Sequence, residues 1–221
     1  LGRILGFDFG LNFNKPYFAA SFSDFWQRWH ISLSEWLRDY LYIPLGGNQG
    51  GKWRTFRNLC ITMFLGGLWH GAAWTFVVWG LLHGVYLVLQ RMLRQPYTTA
   101  ATALRMPRWL RTAIAILTVF ILTNFAWVFF RADTFSDAWA ILAIVGGGDF
   151  AFEQGNQWTM IARTALAAAI VFTVDALSET PGVTAIYMKK PSVRLLGMML
   201  LIWTIALFGA FRGTAFIYFQ F

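Results

Sequence analysis

Three histidines, His30, His70 and His83, are the side chains in this sequence best suited to chemistry near neutral pH. Imidazole, with an ordinary pKa of about 6.5, can both take and give a proton there. His70, in GGLWHGAAW (66–74), and His83, in GLLHG, lie in apolar company, whereas His30, in RWHIS, lies where tryptophans mix with charges. Metal ligation needs donors in register. His70 and His83 fall at neither i,i+3 nor i,i+4, there is no HExxH, and Cys60 is the only cysteine, which rules out a thiolate zinc set and an internal disulfide. No metal is expected. Two readings stay open for His70. In one, its ring hydrogen-bonds a carbonyl across a helix contact, with Gly66, Gly67 and Gly71 letting the helices come close. In the other it does chemistry: an ionisable ring in hydrocarbon is costly and marks a functional candidate, the glycines leave room beside it for a thin substrate, and Trp69 and Trp74 wall it off from water. For His83 the structural reading is preferred.

The elements that must hold these rings follow from composition. Of the 221 residues, 57% are hydrophobic, 19% aromatic and only 13% charged, against about 25% charged in soluble domains. The expectation is an all-α, polytopic transmembrane protein. Apolar runs cover 59–90, 112–130, 160–177 and 195–211. The first would reach about 48 Å as one helix, well beyond a hydrocarbon core of ~30 Å. It is therefore read as a broken hairpin or re-entrant pair, with the break near Gly66–Gly67 or Gly71 and His70 at depth. In the third, Arg163 and Asp175 lie near the ends, where they can snorkel.

The connection 91–111 carries Arg91, Arg94, Arg105, Arg108 and Arg111 without an acid, while 131–159 carries Arg131 against Asp133, Asp137, Asp149 and Glu153. The positive-inside rule puts the first in the cytoplasm and the second outside. Lys52, Arg54 and Arg57 make the other flank of the 59–90 run cytoplasmic as well. The net charge of +8 is thus a topology signal, and nucleic-acid binding is excluded because the aromatics lie inside the apolar spans rather than on a basic face.

Residues 1–58 differ. In 22–58 tryptophans alternate with charges at helical spacing, and Trp26, Trp29, Leu33, Trp36 and Leu37 make one apolar face, as suits an interfacial helix. Ser23 or Asp24 is the expected cap, and Pro44 with GGNQGG the expected break. A phosphate-cradling loop lacks its GxxxxGK[ST] pattern. The chain opens at Leu1 without an initiator Met, so a preceding N-terminal part is expected.

Four ordered blocks carry a resemblance: FSDFWQRWHISLSEWLRDYLYIPLGGN (22–48), GGLWHGAAWTFVVWGLLHG (66–84), WVFFRADTFSDAWAIL (127–142) and the terminal FIYFQF. Together they closely resemble the membrane-bound O-acyltransferase family, in particular its bacterial branch that O-acetylates exopolysaccharides such as alginate. The resemblance spans nearly the whole chain. It implies the C-terminal half of a single polytopic helical enzyme domain in the bacterial inner (cytoplasmic) membrane, surrounded by lipid. It implies an acyl group taken from a cytoplasmic donor, acetyl-CoA in this branch and with no cofactor bound, and moved through the protein to an acceptor hydroxyl, with a separate extracytoplasmic acetyltransferase completing transfer to the polysaccharide. The family's invariant histidine maps onto His70 and the second signature histidine of this branch onto His30; His83 receives no role.

A nucleophile attacking a thioester must lose a proton, and a neutral imidazole is the usual acceptor. Burial favours the neutral ring, so His70 is expected as general base, with His30 orienting the acyl carbonyl or sharing the proton. Lys52, Arg54 and Arg57 are placed to meet the phosphates of coenzyme A, or act only as topology signals, and Arg38 and Asp39 are set near the same entrance. D-alanyl transfer to teichoic acid by the same fold is the alternative within the family. Outside it stand a proton-coupled transporter and a helical scaffold for an export complex.

Overall fold

The computed structural model describes residue 6, residues 10–147 and 157–178, and positions 189–193, 195–197 and 199. The described residues are helical, with no strand among them. The chain divides into two units, Leu1–Asp149 and Phe150–Phe221. The histidines lie in the first.

Two short helices open that unit, α1 (Phe22–Arg28) and α2 (Ile31–Leu37). The cap of α1 is Ser21, two residues ahead of the expected start: its Oγ accepts the Asp24 N–H at 3.0 Å. Asp24 in turn accepts the Ala20 N–H and pairs with Arg28 at 2.7 Å. The earlier start has a tertiary cause. Phe22 is buried, and its N–H donates to Oε1 of Gln90, whose Nε2 donates to Ser23 Oγ at 3.2 Å. The single amphipathic helix expected over this stretch is interrupted: Trp29 is extended and His30 is left-handed at φ 44°. Asn12 holds the bend by accepting the Ile31 N–H on its carbonyl and the Ser32 N–H on its side chain. The expected apolar face is divided accordingly, with Leu33 and Leu37 buried and Trp36 turned outward against Tyr40.

A π-type turn over Arg38–Tyr42 leads into the Gly-rich loop, where Gly46, Gly47, Gly50 and Gly51 all have positive φ, conformations open to glycine without a Cβ penalty. Asn58 clamps this loop: fully buried, it donates Nδ2 to the carbonyls of Leu45 (3.0 Å) and Gly47 (3.2 Å).

Helices α3 (Lys52–His70) and α4 (Trp74–Ala103) form a tight hairpin. The break in the long apolar run falls at Gly71, φ 155°. Gly66 and Gly67 stay helical, and the space beside them is taken by protein: a Cβ on Gly67 would run into the Phe76 carbonyl, one on Gly80 into the Met63 carbonyl, and one on Gly66 would meet Leu37 at 3.2 Å. These glycines therefore let helices touch, the first of the two readings open from sequence, rather than clear room for a substrate.

Helix α4 runs on through Gln90 and across Pro96 to Ala103, so most of the expected basic connection 91–111 is helix and only Leu104–Pro107 links it to α5 (Arg108–Arg131). The expected outer connection likewise contains a helix, α6 (Phe135–Gly147), opened by Thr134 and Asp137 in a reciprocal cap. Charge interrupts the apolar runs in both connections, yet helices persist through charged positions when a cap or a good helix former supports them. Helices α4 and α5 are long and apolar enough to cross a membrane. The core joins Phe22 and Phe25 of α1 to Leu59 and Met63 of α3, Trp79, Tyr86 and Leu87 of α4, and Val119 and Ala126 of α5.

The second unit contains α7 (Gln157–Ser178), which includes the third apolar run. Most of the fourth run, 195–211, and the terminal FIYFQF lie outside the described residues.

Candidate active site

His70 is the last residue of α3, placed by the glycine that ends the helix. Its ring is held in an aromatic cage: Trp69, Trp79 and Phe130 approach with centroids 4.9, 5.0 and 5.0 Å away, each close to perpendicular. Only 7% of the residue is exposed. The cage gathers three helices, since Trp79 comes from α4 and Phe130 from α5. Of the two tryptophans that bracket His70 in sequence, Trp69 packs on it, whereas Trp74 is 72% exposed and does not wall it. Trp79 and Phe130 do that work, and only the tertiary fold could reveal it.

His30 reaches the same place from the bend between α1 and α2. Its ring lies 6.1 Å from the Trp69 indole, against whose other contacts stands His70 at 4.9 Å. The two sequence-predicted histidines, forty positions apart in the chain, thus share one indole. Burial holds the His30 imidazole below its ordinary pKa, which keeps that ring uncharged at neutral pH. Among the described residues no cluster of histidine, cysteine and carboxylate side chains has the makings of a metal site.

The basic trio lies at the opposite end of α3. Arg57 and His70 lie thirteen positions apart on the helix, about 20 Å at ~1.5 Å per residue. Arg57 is spent on Asn58 Oδ1 (3.0 and 3.3 Å), and Arg54 folds over Gly50. Neither they nor Lys52 belong to the lining of the pocket that opens beside α3. A pocket of about 140 Å³ opens nearby, lined by Trp26, Leu37, Leu59, Met63 and Leu87, with Arg38, Ser34 and Tyr42 at its polar parts. Arg38 is the one cation on this lining. It grips Asp39 through two hydrogen bonds, 2.7 and 3.2 Å, and this bonding holds the Asp39 carboxyl below the usual carboxylate range. An apolar pocket with Arg38 on its lining thus lies against the middle of α3, and two histidines gather around an indole at the C-terminal end of that helix.

His83 is wholly buried between them, stacked on Phe25 and edge-on to Trp26 and Trp79.

Residues 4–132 match the model of the membrane-bound O-acyltransferase family, and the chain belongs to that family. It is 45% identical to the probable alginate O-acetylase of Azotobacter vinelandii over 183 residues, 81% of this chain and 35% of that protein. The probable alginate O-acetylase of Pseudomonas aeruginosa is 49% identical over 139 residues, 63% of this chain and 25% of its own. The peptidoglycan O-acetyltransferase of Helicobacter pylori is 44% identical over 142 residues, 64% of this chain and 26% of its own. The matched part spans about a quarter to a third of the length of these relatives.

Proposed function

We propose that the protein acts as a multi-pass O-acyltransferase of the bacterial cytoplasmic membrane, moving an acetyl group from a cytoplasmic donor, acetyl-CoA, toward an exported polysaccharide such as alginate. The observation that carries the reading is the pairing of His70 and His30 around Trp69, with His70 caged on three sides by aromatic rings.

In this mechanism a hydroxyl of the acceptor, or of a partner extracytoplasmic acetyltransferase that hands the group on, gives its proton to His70. Its oxygen attacks the thioester carbonyl, the carbon–sulfur bond breaks, and the proton passes from His70 to the departing thiolate. His30, neutral and close by, orients the acyl carbonyl. An aromatic cage suits a base of this kind because it keeps water from competing for the acyl group.

The pocket against the middle of α3 is the donor port, and Arg38, the cation on its lining, would meet a phosphate there by exchanging its hydrogen bonds to Asp39. Both flanks of the hairpin are basic, which favours a cytoplasmic position for this port. O-acetylation is preferred to D-alanyl transfer because the compared relatives at 44–49% identity are named as O-acetylating proteins.

The test is His70→Gln in the full-length protein. Polymer acetylation is expected to fall at least about a hundredfold, the scale of a lost general base, with normal amounts of protein in the membrane; wild-type acetylation would overturn the assignment.

A further inference from the structure

We infer that the Gly-rich loop ahead of α3, with the cations gathered around it, binds the headgroup of an anionic membrane phospholipid; the inference is independent of the acyltransferase reading above. Cations flank both ends of the apolar run 59–90, with Lys52, Arg54 and Arg57 before it and Arg91 and Arg94 after it. Orientation in a bilayer requires only that such charges lie on one side. The fold goes further and draws them to a single loop. The Arg91 guanidinium, on α4, donates to Asn48 Oδ1 at 2.8 Å, and the same oxygen accepts the Tyr42 hydroxyl at 2.6 Å. Two residues on, the Arg54 side chain lies across Gly50, where a Cβ would stand 2.7 Å from its Cδ. Lys52 follows two positions later, and Arg94 stands about one helical turn beyond Arg91.

From Tyr40 to Ala132 the sequence has no aspartate or glutamate. Lys52, Arg54, Arg91 and Arg94 are exposed, and none of them forms an ion pair among the described residues, where Asp24 and Asp39 are held by Arg28 and Arg38. Like charges held together repel, and an anion placed among them reverses the sign of that interaction. The loop therefore calls for a phosphate. Exposed apolar side chains stand between the cations: Trp53, 78% exposed, between Lys52 and Arg54, and Met92 and Leu93 between Arg91 and Arg94. A soluble anion makes no use of them. A phospholipid does, setting its phosphodiester against the guanidinium and ammonium groups and its glycerol and upper acyl chains against the indole and the Met92 and Leu93 side chains, the division of contacts found at a bilayer interface.

The full-length protein, purified in detergent and mixed with equal amounts of phosphatidylglycerol and phosphatidylcholine of matched acyl chains, provides the test, with the lipid that stays bound read by native mass spectrometry. Phosphatidylglycerol is expected to be preferred at least about tenfold, from several cations that each favour an anionic headgroup about fivefold. Arg91→Gln should lower the preference about fivefold, and Lys52→Gln, Arg54→Gln and Arg91→Gln combined should abolish it; if the combined variant fails to accumulate, the single one decides. Arg131→Gln removes the same charge at the end of α5 that packs beside His70, and should leave the preference unchanged. Glycerol phosphate in excess should not displace the lipid. Equal binding of the two lipids by the parent protein would leave the loop to an acidic soluble partner and overturn the inference. So would displacement by glycerol phosphate, which makes the occupant a soluble anion, an unaltered preference in the loop variants, or an equal loss in Arg131→Gln.

Discussion

The His70 imidazole meets the Trp79 indole edge to face, ring centroids 5.0 Å apart and planes at 88°. The same indole stands 5.0 Å from His83. Trp79 is buried on α4, one residue before the glycine that touches α3, so the cage around the candidate base is only as exact as the packing of that hairpin.

Adding a methyl group at Gly80 therefore tests the geometry from a distance. Gly80→Ala would drive a Cβ into the Met63 carbonyl, and backbone cannot swing aside as a side chain can. A loss of about 1–3 kcal/mol is expected, the range of overpacked cores, seen as a lowered Tm in detergent together with reduced transfer. Gly146→Ala is the control: it lies in α6 with nothing within 4 Å of the new Cβ, and a gain of about 0.5–1 kcal/mol is expected from helix propensity.

Donor affinity should follow Arg38 rather than the trio at the start of α3. Arg38→Gln is expected to raise the KM for acetyl-CoA about tenfold, in line with one charged hydrogen bond, while Arg57→Gln, whose side chain is bonded to Asn58, should leave KM within about twofold. Asp39→Asn releases Arg38 from its neighbour and should lower KM. The reverse ranking of Arg38 and Arg57 would place the phosphates elsewhere.

The pH dependence follows from the direction of the His30 shift. Burial lowers its pKa, so the ring takes up a proton only on the acid side of its ordinary value of about 6.5. Because neutral His30 is the form that orients the acyl group in the proposed mechanism, the rate should stay level from pH 8 down to about 6.5 and fall only below it. A profile of kcat against pH checks this, and a fall beginning above pH 7 would contradict it.

How much could be read from the chain alone differs from element to element. The hairpin was legible because 59–90 is too long for one crossing and contains Gly71, a residue free of Cβ strain at its actual φ. His70 stood out as a ring in apolar surroundings, and both His70 and His30 through their motifs. The roles of Gly66 and Gly67 were not legible, because a glycine that makes space for a ligand and one that admits a neighbouring helix read alike in one dimension. The shared indole of Trp69, the contribution of Phe130 from α5 and the complete burial of His83 depend on contacts between distant segments, for which local spacing holds no signal. The cap at Ser21 was missed for a similar reason: Gln90, sixty-eight positions from Phe22, helps decide where α1 begins.

His30 owes its place to a main-chain torsion rather than to a helix. At φ 44° and ψ 55° it occupies a conformation that asparagine tolerates better than most residues and alanine poorly. Replacing it with alanine would disturb the corner as well as delete the ring, whereas asparagine separates the two effects. The spacing between the paired imidazoles is thus set from outside the cage: Asn12, which holds the corner through the Ile31 and Ser32 N–H groups, is the position where a substitution should swing one ring relative to the other while leaving both in the chain.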